Sequence, residues 1–168
     1  MIEFMVIAAP RSGTGWAANW LTTDTTLCHH GLSARLRMDD WEEIESHKLL
    51  GTAETALWWA SAKLNASPAR KVILHRDAAE ICASLGMPDL IERVTAMQGA
   101  LNRIDGMHVQ WSEIFDKPSP IYEHLLQRPF DPERHAELLR LQVTCLPKRA
   151  TFDSRVLARI REEMTCSS

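Results

Sequence analysis

Residues 9–16, APRSGTGW, combine residue types that suit the binding of a negatively charged group. They follow a continuous apolar run at 4–8 and precede a helical pattern, so this segment is predicted to be a strand-to-helix loop. Such a loop directs several backbone N–H groups and the positive end of a helix dipole towards one point. Gly13 and Gly15 would let the backbone approach an anion closely. The loop is therefore predicted to bind a phosphate or sulfate group.

The polar side chains of this loop are Arg11, Ser12 and Thr14. A guanidinium at the front of the loop can clamp a phosphate or sulfate, and it can stabilise negative charge that develops on a leaving oxygen. The hydroxyl groups can add hydrogen bonds to the same anion. The alternative interpretation is a tight turn in which Arg11 is simply solvated.

The loop differs from the ATP-binding pattern GxxxxGK[ST], in which the lysine reaches the phosphates and the hydroxyl holds magnesium. If the second glycine of that pattern is placed on Gly15, Trp16 takes the lysine position and Ala17 the magnesium position. Neither side chain can perform those roles. A magnesium-dependent ATP phosphotransferase is therefore disfavoured, whereas an anion cradle is not.

A second strand-to-helix element, residues 72–87, repeats this arrangement. Arg76 follows an apolar run, Asp77 suits the N-cap of a helix, and Ser84 lies eight residues after Arg76. In an open α/β sheet both elements end at the carboxyl edge, where ligands of such folds bind. Two anion sites would suit a ligand with two separated phosphate-type groups. The alternative is that Arg76 only pairs with Asp77 or Glu80.

Both elements resemble those of the sulfotransferases. APRSGTGWAANWL is similar to their 5′-phosphosulfate loop, P-[KR]-[ST]-G-T-x-[WL], and RDAAEICAS is similar to their 3′-phosphate element, an Arg with a Ser eight positions later. Residues 109–139 also resemble a bacterial pattern in which a strand is followed by YEDL, a helix and LG-PFD. The resemblance extends over most of the chain.

This resemblance implies a P-loop NTPase-like fold of the sulfotransferase type, with 3′-phosphoadenosine 5′-phosphosulfate as donor and no metal. The donor's sulfuryl group would pass to a hydroxyl or amine of a small-molecule or glycan acceptor. The 3′-phosphate would be held by Arg76 and Ser84. The 5′-phosphosulfate would be held by Arg11, Ser12, Gly13, Thr14, Gly15 and Trp16. Arg11 would act as an electrostatic clamp, because a guanidinium hardly releases a proton.

The family also uses a His or Glu general base, often near the end of the second strand. LCHHGL supplies His29 and His30 at this point, and strand alternation directs only one of them into the cleft, for which we favour His30. Glu54 is the rival, and Asp40 is a third candidate. The alternative for the histidine pair is two partly exposed loop residues.

The chain departs from the family pattern in three respects. Gly15 replaces the usual second threonine, the chain is short, and there is no late glycine-rich segment to close over the 3′-phosphate. Lys148 and Arg149 are a possible substitute for that segment. Trp16 either contacts the ligand or packs in the core with Trp20, which lies one turn later.

The elements that must position these residues alternate along the chain. This alternation predicts an α/β fold, a three-layer α/β/α arrangement around a mostly parallel sheet of about four or five strands. The predicted strands are 4–8, 26–28, 48–50, 71–75 and 107–111. The predicted helices are 14–22, 39–46, 54–64, 78–85, 89–104, 121–126, 132–141 and 153–163. The 168 residues suit one domain, 1–168, with a possible weak joint at 115–120.

Composition limits the classes of partner. The 19 basic residues are dispersed and outnumbered by 22 acidic ones, which disfavours non-specific binding to nucleic acid. The four cysteines match no zinc or compact disulfide pattern, and no apolar run approaches a membrane span, so we expect a cytoplasmic protein with reduced thiols. Two other functions stay open: a phosphotransferase with a divergent loop, and a degenerate relative that binds a nucleotide or a partner without turnover.

Overall fold

The computed structural model describes residues 2–31 and 49–140. These residues contain a single five-stranded sheet in which all neighbouring strands are parallel, in the order β2-β3-β1-β4-β5. The strands are β1 (Phe4–Ala8), β2 (Thr26–His30), β3 (Leu49–Glu54), β4 (Arg70–His75) and β5 (Met107–Gln110).

The α-helices in this part of the chain are α1 (Thr14–Leu21), α2 (Ser61–Ala66), α3 (Ala78–Leu85), α4 (Ile91–Leu101), α5 (Glu113–Asp116), α6 (Pro118–Leu126) and α7 (Pro132–Arg140). Asp77 caps α3 as predicted, since its carboxylate accepts hydrogen bonds from the N–H groups of Ala79 and Glu80.

Helices cover both faces of the sheet, because the central strand β1 is apolar on both sides. Phe4 and Val6 face a core formed with α1, α5, α6 and α7. Met5 and Ile7 face a second core formed with α2, α3 and α4. The predicted three-layer α/β/α arrangement with a parallel sheet is confirmed, with five strands among the described residues.

Strand β3 corrects one predicted boundary. The sequence predicts a short strand at 48–50 and a helix at 54–64, but the strand continues to Glu54 and α2 begins only at Ser61. Residues 51–54 continue the strand because they pair with residues 4–7 of β1, and glycine at position 51 has a steric reason, since a Cβ there would lie 2.1 Å from the Phe4 ring. Glycine is therefore accommodated inside a buried strand.

Other boundaries shifted less. The predicted strand 26–28 continues to His30, and the helix predicted at 89–104 is a 3-10 turn, Pro88–Leu90, followed by α4. A proline in the first turn starts α6 three residues earlier than expected. The 115–120 segment is the end of α5 and the start of α6, and Phe115 packs against Trp16 with ring centroids 4.9 Å apart.

Several predictions lie outside the described residues: the helices at 39–46 and 153–163, and the candidate residues Asp40, Lys148 and Arg149. Among the residues that the structure describes, no helix is long and apolar enough to cross a membrane.

Candidate active site

The candidate site lies at the carboxyl edge of the sheet, between β1 and β4. These two strands are neighbours, yet the chain leaves β1 towards β2 and leaves β4 towards β5, on opposite sides. Such a switch point opens a crevice in which α/β proteins bind their ligands. The loop after β1 and the segment after β4 both start there, as predicted.

The loop after β1 has the backbone conformation of an anion cradle. Arg11 has a φ of 63° and Gly13 a φ of 80°, so both adopt the left-handed conformation, and α1 begins directly afterwards. Turns of this kind direct successive N–H groups to one side. Position 13 favours glycine over other residue types, because its φ is positive and an added Cβ would lie 3.0 Å from Ile114 Cδ1.

The donors of this cradle are available. No side chain caps the start of α1, and within residues 2–31 and 49–140 no acceptor is found for the backbone N–H groups of residues 14–16. The Ser12 hydroxyl is fully buried and also has no hydrogen-bond partner in this part of the chain. A buried hydroxyl without a partner is costly, and a turn of the Ser12 side chain towards the cradle would let one anion pair with both this hydroxyl and the helix donors.

The two predicted anion elements are in direct contact. Arg11 Nε donates to Ser84 Oγ at 3.0 Å, and Arg76 Nη1 donates to the carbonyl oxygen of Arg11 at 2.5 Å. The sequence places these residues 73 and 65 positions apart. The three side chains therefore form one continuous surface at the switch point rather than two separate sites.

The Arg76 guanidinium already has protein partners. Its Nε lies 3.1 Å from Glu80 Oε2, one turn along α3, and its Cζ lies 4.3 Å above the centre of the Trp111 ring. The pairing with Glu80 that the sequence left as an alternative is thus observed. Within the described chain, Arg76 Nη2 and the second hydrogen of Nη1 remain for a ligand, so a phosphate here would share the guanidinium with Glu80 or displace it.

His30 is the histidine of the pair that contacts the loop. It is the last residue of β2, and its Nε2 lies 3.1 Å from Thr14 Oγ1. Partial burial lowers the pKa of His30 from its usual 6.5, and the charge of the nearby Glu54 opposes this shift. An imidazole that is neutral near neutral pH suits a general base. The backbone carbonyl oxygen of His29 lies 3.4 Å from the hydroxyl oxygen of Thr52.

Glu54 ends β3 and is 1% exposed. Its Oε1 accepts a hydrogen bond of 2.5 Å from the hydroxyl of Thr52. A carboxylate enclosed in this way has little access to an acceptor molecule, whereas its charge acts on His30. The geometry therefore makes Glu54 a neighbour of the candidate base rather than an accessible rival to it.

The Trp16 side chain lies in the core and not in the loop. It is 6% exposed and packs against Trp20, Phe115 and His135, with ring centroids 5.4, 4.9 and 5.3 Å away. Gly15 is buried in the first turn of α1. Both residues can therefore offer backbone N–H groups to an anion, and the Trp16 indole has no exposed face for stacking on an adenine.

Two residues of the site were not singled out from the sequence. The Trp111 ring makes a cation–π contact with Arg76, and the Thr52 hydroxyl donates a hydrogen bond to Glu54. A signal for Trp111 existed, because it directly follows β5 and must lie at the same carboxyl edge as Arg76. Thr52 gave no such signal, since the strand was predicted to end before it.

Comparison of the chain with models of known protein families gave no match, and comparison with curated proteins gave none either. In residues 2–31 and 49–140, no group of three or more His, Cys, Asp or Glu side chains is arranged to hold a metal ion. The functional interpretation therefore rests on the residues of the site.

Proposed function

We propose that this chain is a sulfotransferase-like enzyme that transfers a sulfuryl group from 3′-phosphoadenosine 5′-phosphosulfate to a hydroxyl or amine of a small-molecule or glycan acceptor. The observation that carries the proposal is the contact between Arg11 and Ser84, supported by the hydrogen bond from Arg76 to the Arg11 carbonyl. A ligand with phosphate groups at both ends of a ribose would engage both elements at once.

The cradle after β1 suits the 5′ end of such a donor. It offers backbone N–H groups, the buried Ser12 hydroxyl and the positive end of α1, and it has no lysine or magnesium-binding hydroxyl. Trp16 and Ala17, at the positions that an ATP-binding loop gives to those two groups, are buried. This combination favours an anion held without metal over magnesium-ATP.

The residues around the cradle can take separate roles in the transfer reaction. In the transfer, a bond forms between the acceptor oxygen or nitrogen and sulfur, and the bond from sulfur to the phosphate oxygen breaks. Arg11 would stabilise the negative charge on the departing phosphate oxygen, after its side chain turns from Ser84. His30, beside Thr14, would accept the acceptor's proton.

A degenerate nucleotide-binding protein is the second candidate, and two observations favour it. Arg76 is already engaged by Glu80 and by the Arg11 carbonyl. The Trp16 indole, which the family pattern places in the donor-binding loop, is enclosed in the core. Both features depart from the family pattern, as expected of a relative that keeps the fold and has lost part of the site.

Titration calorimetry tests the proposal. We expect adenosine 3′,5′-bisphosphate to bind without metal and more tightly than ATP with magnesium. Arg76→Ala should weaken this binding at least tenfold, by the usual contribution of a charged hydrogen bond. Arg93→Ala, which removes an exposed arginine of α4, is the matched control and should have no effect. Preference for magnesium-ATP would overturn the proposal.

Turnover separates the two candidates. Incubation of the chain with sulfur-labelled donor and a panel of phenols, alcohols, amines and sugars should yield a labelled product for the enzyme, and His30→Ala should abolish it. Retention of bisphosphate binding with no transfer to any acceptor would favour the degenerate binder.

The proposal includes a cytoplasmic location, which is supported by Cys28 and Cys82 being buried free thiols.

A further inference from the structure

The hydroxyl of Thr14 connects the anion cradle to His30. Thr14 is the first residue of α1 and is 4% exposed. Among the described residues its hydroxyl has one hydrogen-bond partner, the Nε2 atom of His30 at 3.1 Å. The hydroxyl of Thr14 thus contacts the imidazole. The backbone N–H of the same residue is one of the unpaired donors at the start of the helix.

A hydroxyl has a single hydrogen to donate. Without an anion, the arrangement that satisfies both groups has Thr14 donating to an unprotonated Nε2. The oxygens of sulfate or a phosphosulfate only accept hydrogen bonds, so an anion in the cradle attracts the same hydrogen. The contact with His30 then persists only if Nε2 carries a hydrogen of its own and donates it to Thr14 Oγ1.

Among residues 2–31 and 49–140, the groups around His30 allow it to gain that hydrogen. Helix α1, which packs against β2, carries no charged side chain over Thr14–Leu21. Strand β3, on the other side, contributes one titratable group, Glu54, whose negative charge favours protonation of His30. On β2 itself, burial and then the charge of Glu54 raise the pKa of the Cys28 thiol, which is therefore neutral, and His29 is the remaining titratable neighbour.

We propose that an anion bound in the cradle fixes a hydrogen on His30 Nε2 through the Thr14 hydroxyl, so that anion binding and the protonation of His30 are coupled. The proposal rests on the proposed function only in that the cradle binds an anion. Thr14 is then a positioning residue as well as a ligand contact. If the neutral imidazole acts as the base with donor bound, the nitrogen that accepts the proton is Nδ1.

The coupling has a defined sign. Two forms of His30 carry this hydrogen, the neutral Nε2–H tautomer and the doubly protonated ring, and the negative charge of the anion favours the second. The pKa of His30 therefore rises when the anion binds, so anion affinity must increase as the pH falls through this titration. A rise of about one pKa unit corresponds to about tenfold tighter binding on the acidic side than on the alkaline side. Sulfate is the appropriate probe, because it stays a dianion near neutral pH and does not titrate itself.

Nitrogen NMR of the imidazole rings during sulfate titration tests the proposal, since the shift of each ring nitrogen reports whether it carries a hydrogen. At a pH where free His30 is neutral, we expect Nε2 to be unprotonated without sulfate and protonated at saturation. Thr14→Val should lose this change, and Thr14→Ser, which keeps the hydroxyl, should retain it. If sulfate binds too weakly to saturate, adenosine 3′,5′-bisphosphate replaces it in the same measurement.

The outcomes are distinct. Binding with no change at Nε2, or the same change in Thr14→Val, would overturn the coupling and leave the proposed function intact. Failure of both anions to bind would overturn the proposed function and the coupling together. The spectrum of the wild-type chain alone decides between these results, even if Thr14→Val does not fold.

Discussion

Arg76 donates a hydrogen bond to the main-chain carbonyl oxygen of Arg11, 65 residues earlier in the sequence. The side chain predicted to hold one phosphate group thus supports the loop predicted to hold the other. Glu80 shares the same guanidinium from the next turn of α3. The position and partners of the Arg76 guanidinium therefore affect both ends of the candidate site.

Glu80→Gln is expected to strengthen the binding of adenosine 3′,5′-bisphosphate about threefold, because it removes a negative charge that competes with a phosphate for Arg76. The free energy of unfolding should change little, since the Glu80 side chain is 55% exposed. Calorimetry measures the affinity, and urea unfolding measures the free energy of unfolding. Glu92→Gln, on the exposed surface of α4, is the control, and weaker binding by Glu80→Gln would contradict the expectation.

Arg11→Gly is expected to stabilise the fold and impair binding. The left-handed backbone costs a non-glycine residue about 1–2 kcal/mol, while glycine loses about 0.5–1 kcal/mol in chain entropy, so a net gain of about 0.5–1 kcal/mol should result. Arg11→Ala removes the same guanidinium but keeps the Cβ, and should bind equally poorly with no such gain. Equal unfolding free energies for the two variants would show that the loop conformation is not strained.

Stability should fall as the solution becomes mildly acidic. Burial lowers the pKa of His30, His75 and His135 below the usual 6.5, so the unfolded chain binds more protons than the folded one in the range between the lowered values and 6.5. The unfolding free energy therefore rises with pH through this range and levels off above it. Urea unfolding at a series of pH values measures the slope.

His135→Leu should make that slope shallower, because His135 is enclosed by Trp16, Trp20 and Phe130 and its charged form is poorly solvated there. His75 contributes through a different environment, with its Nε2 2.8 Å from His108 Nδ1. A slope unchanged in His135→Leu would mean that this ring titrates equally in the folded and unfolded chains.

Two glycine substitutions should have opposite effects on stability. Gly51→Ala places a Cβ 2.1 Å from the Phe4 ring in the middle of the sheet, and it should destabilise the fold by about 2–3 kcal/mol. Gly99→Ala lies in α4 with nothing within 4 Å of the added Cβ, and it should stabilise the fold by about 0.5–1 kcal/mol. Thermal unfolding compares them, and a stable Gly51→Ala would mean that β3 does not pack on Phe4 as described.

The sequence predicted the layers well because apolar runs such as Phe4–Ala8 and the caps such as Asp77 are local signals. It missed the continuation of β3 to Glu54, since only the parallel register with β1 explains why Gly51 lies within a strand. It anticipated that Arg11, Arg76 and Ser84 share one edge, because parallel strands end together. Their direct contact, and the engagement of Arg76 by Trp111, depend on side-chain geometry that spacing does not encode.

Helix α1 has an electrostatic property that follows from its burial. Its eight residues are all buried and none is charged, and Arg134 on α7 donates hydrogen bonds to the carbonyl oxygens of Asn19, Trp20 and Thr22 at its far end. The negative end of the dipole is thus neutralised and the body of the helix is closed to mobile ions, while its positive end faces the cradle, where the Arg11 side chain is exposed. Added salt should therefore weaken anion binding here less than at a patch of surface lysines, because part of the attraction comes from a dipole that lies inside the protein.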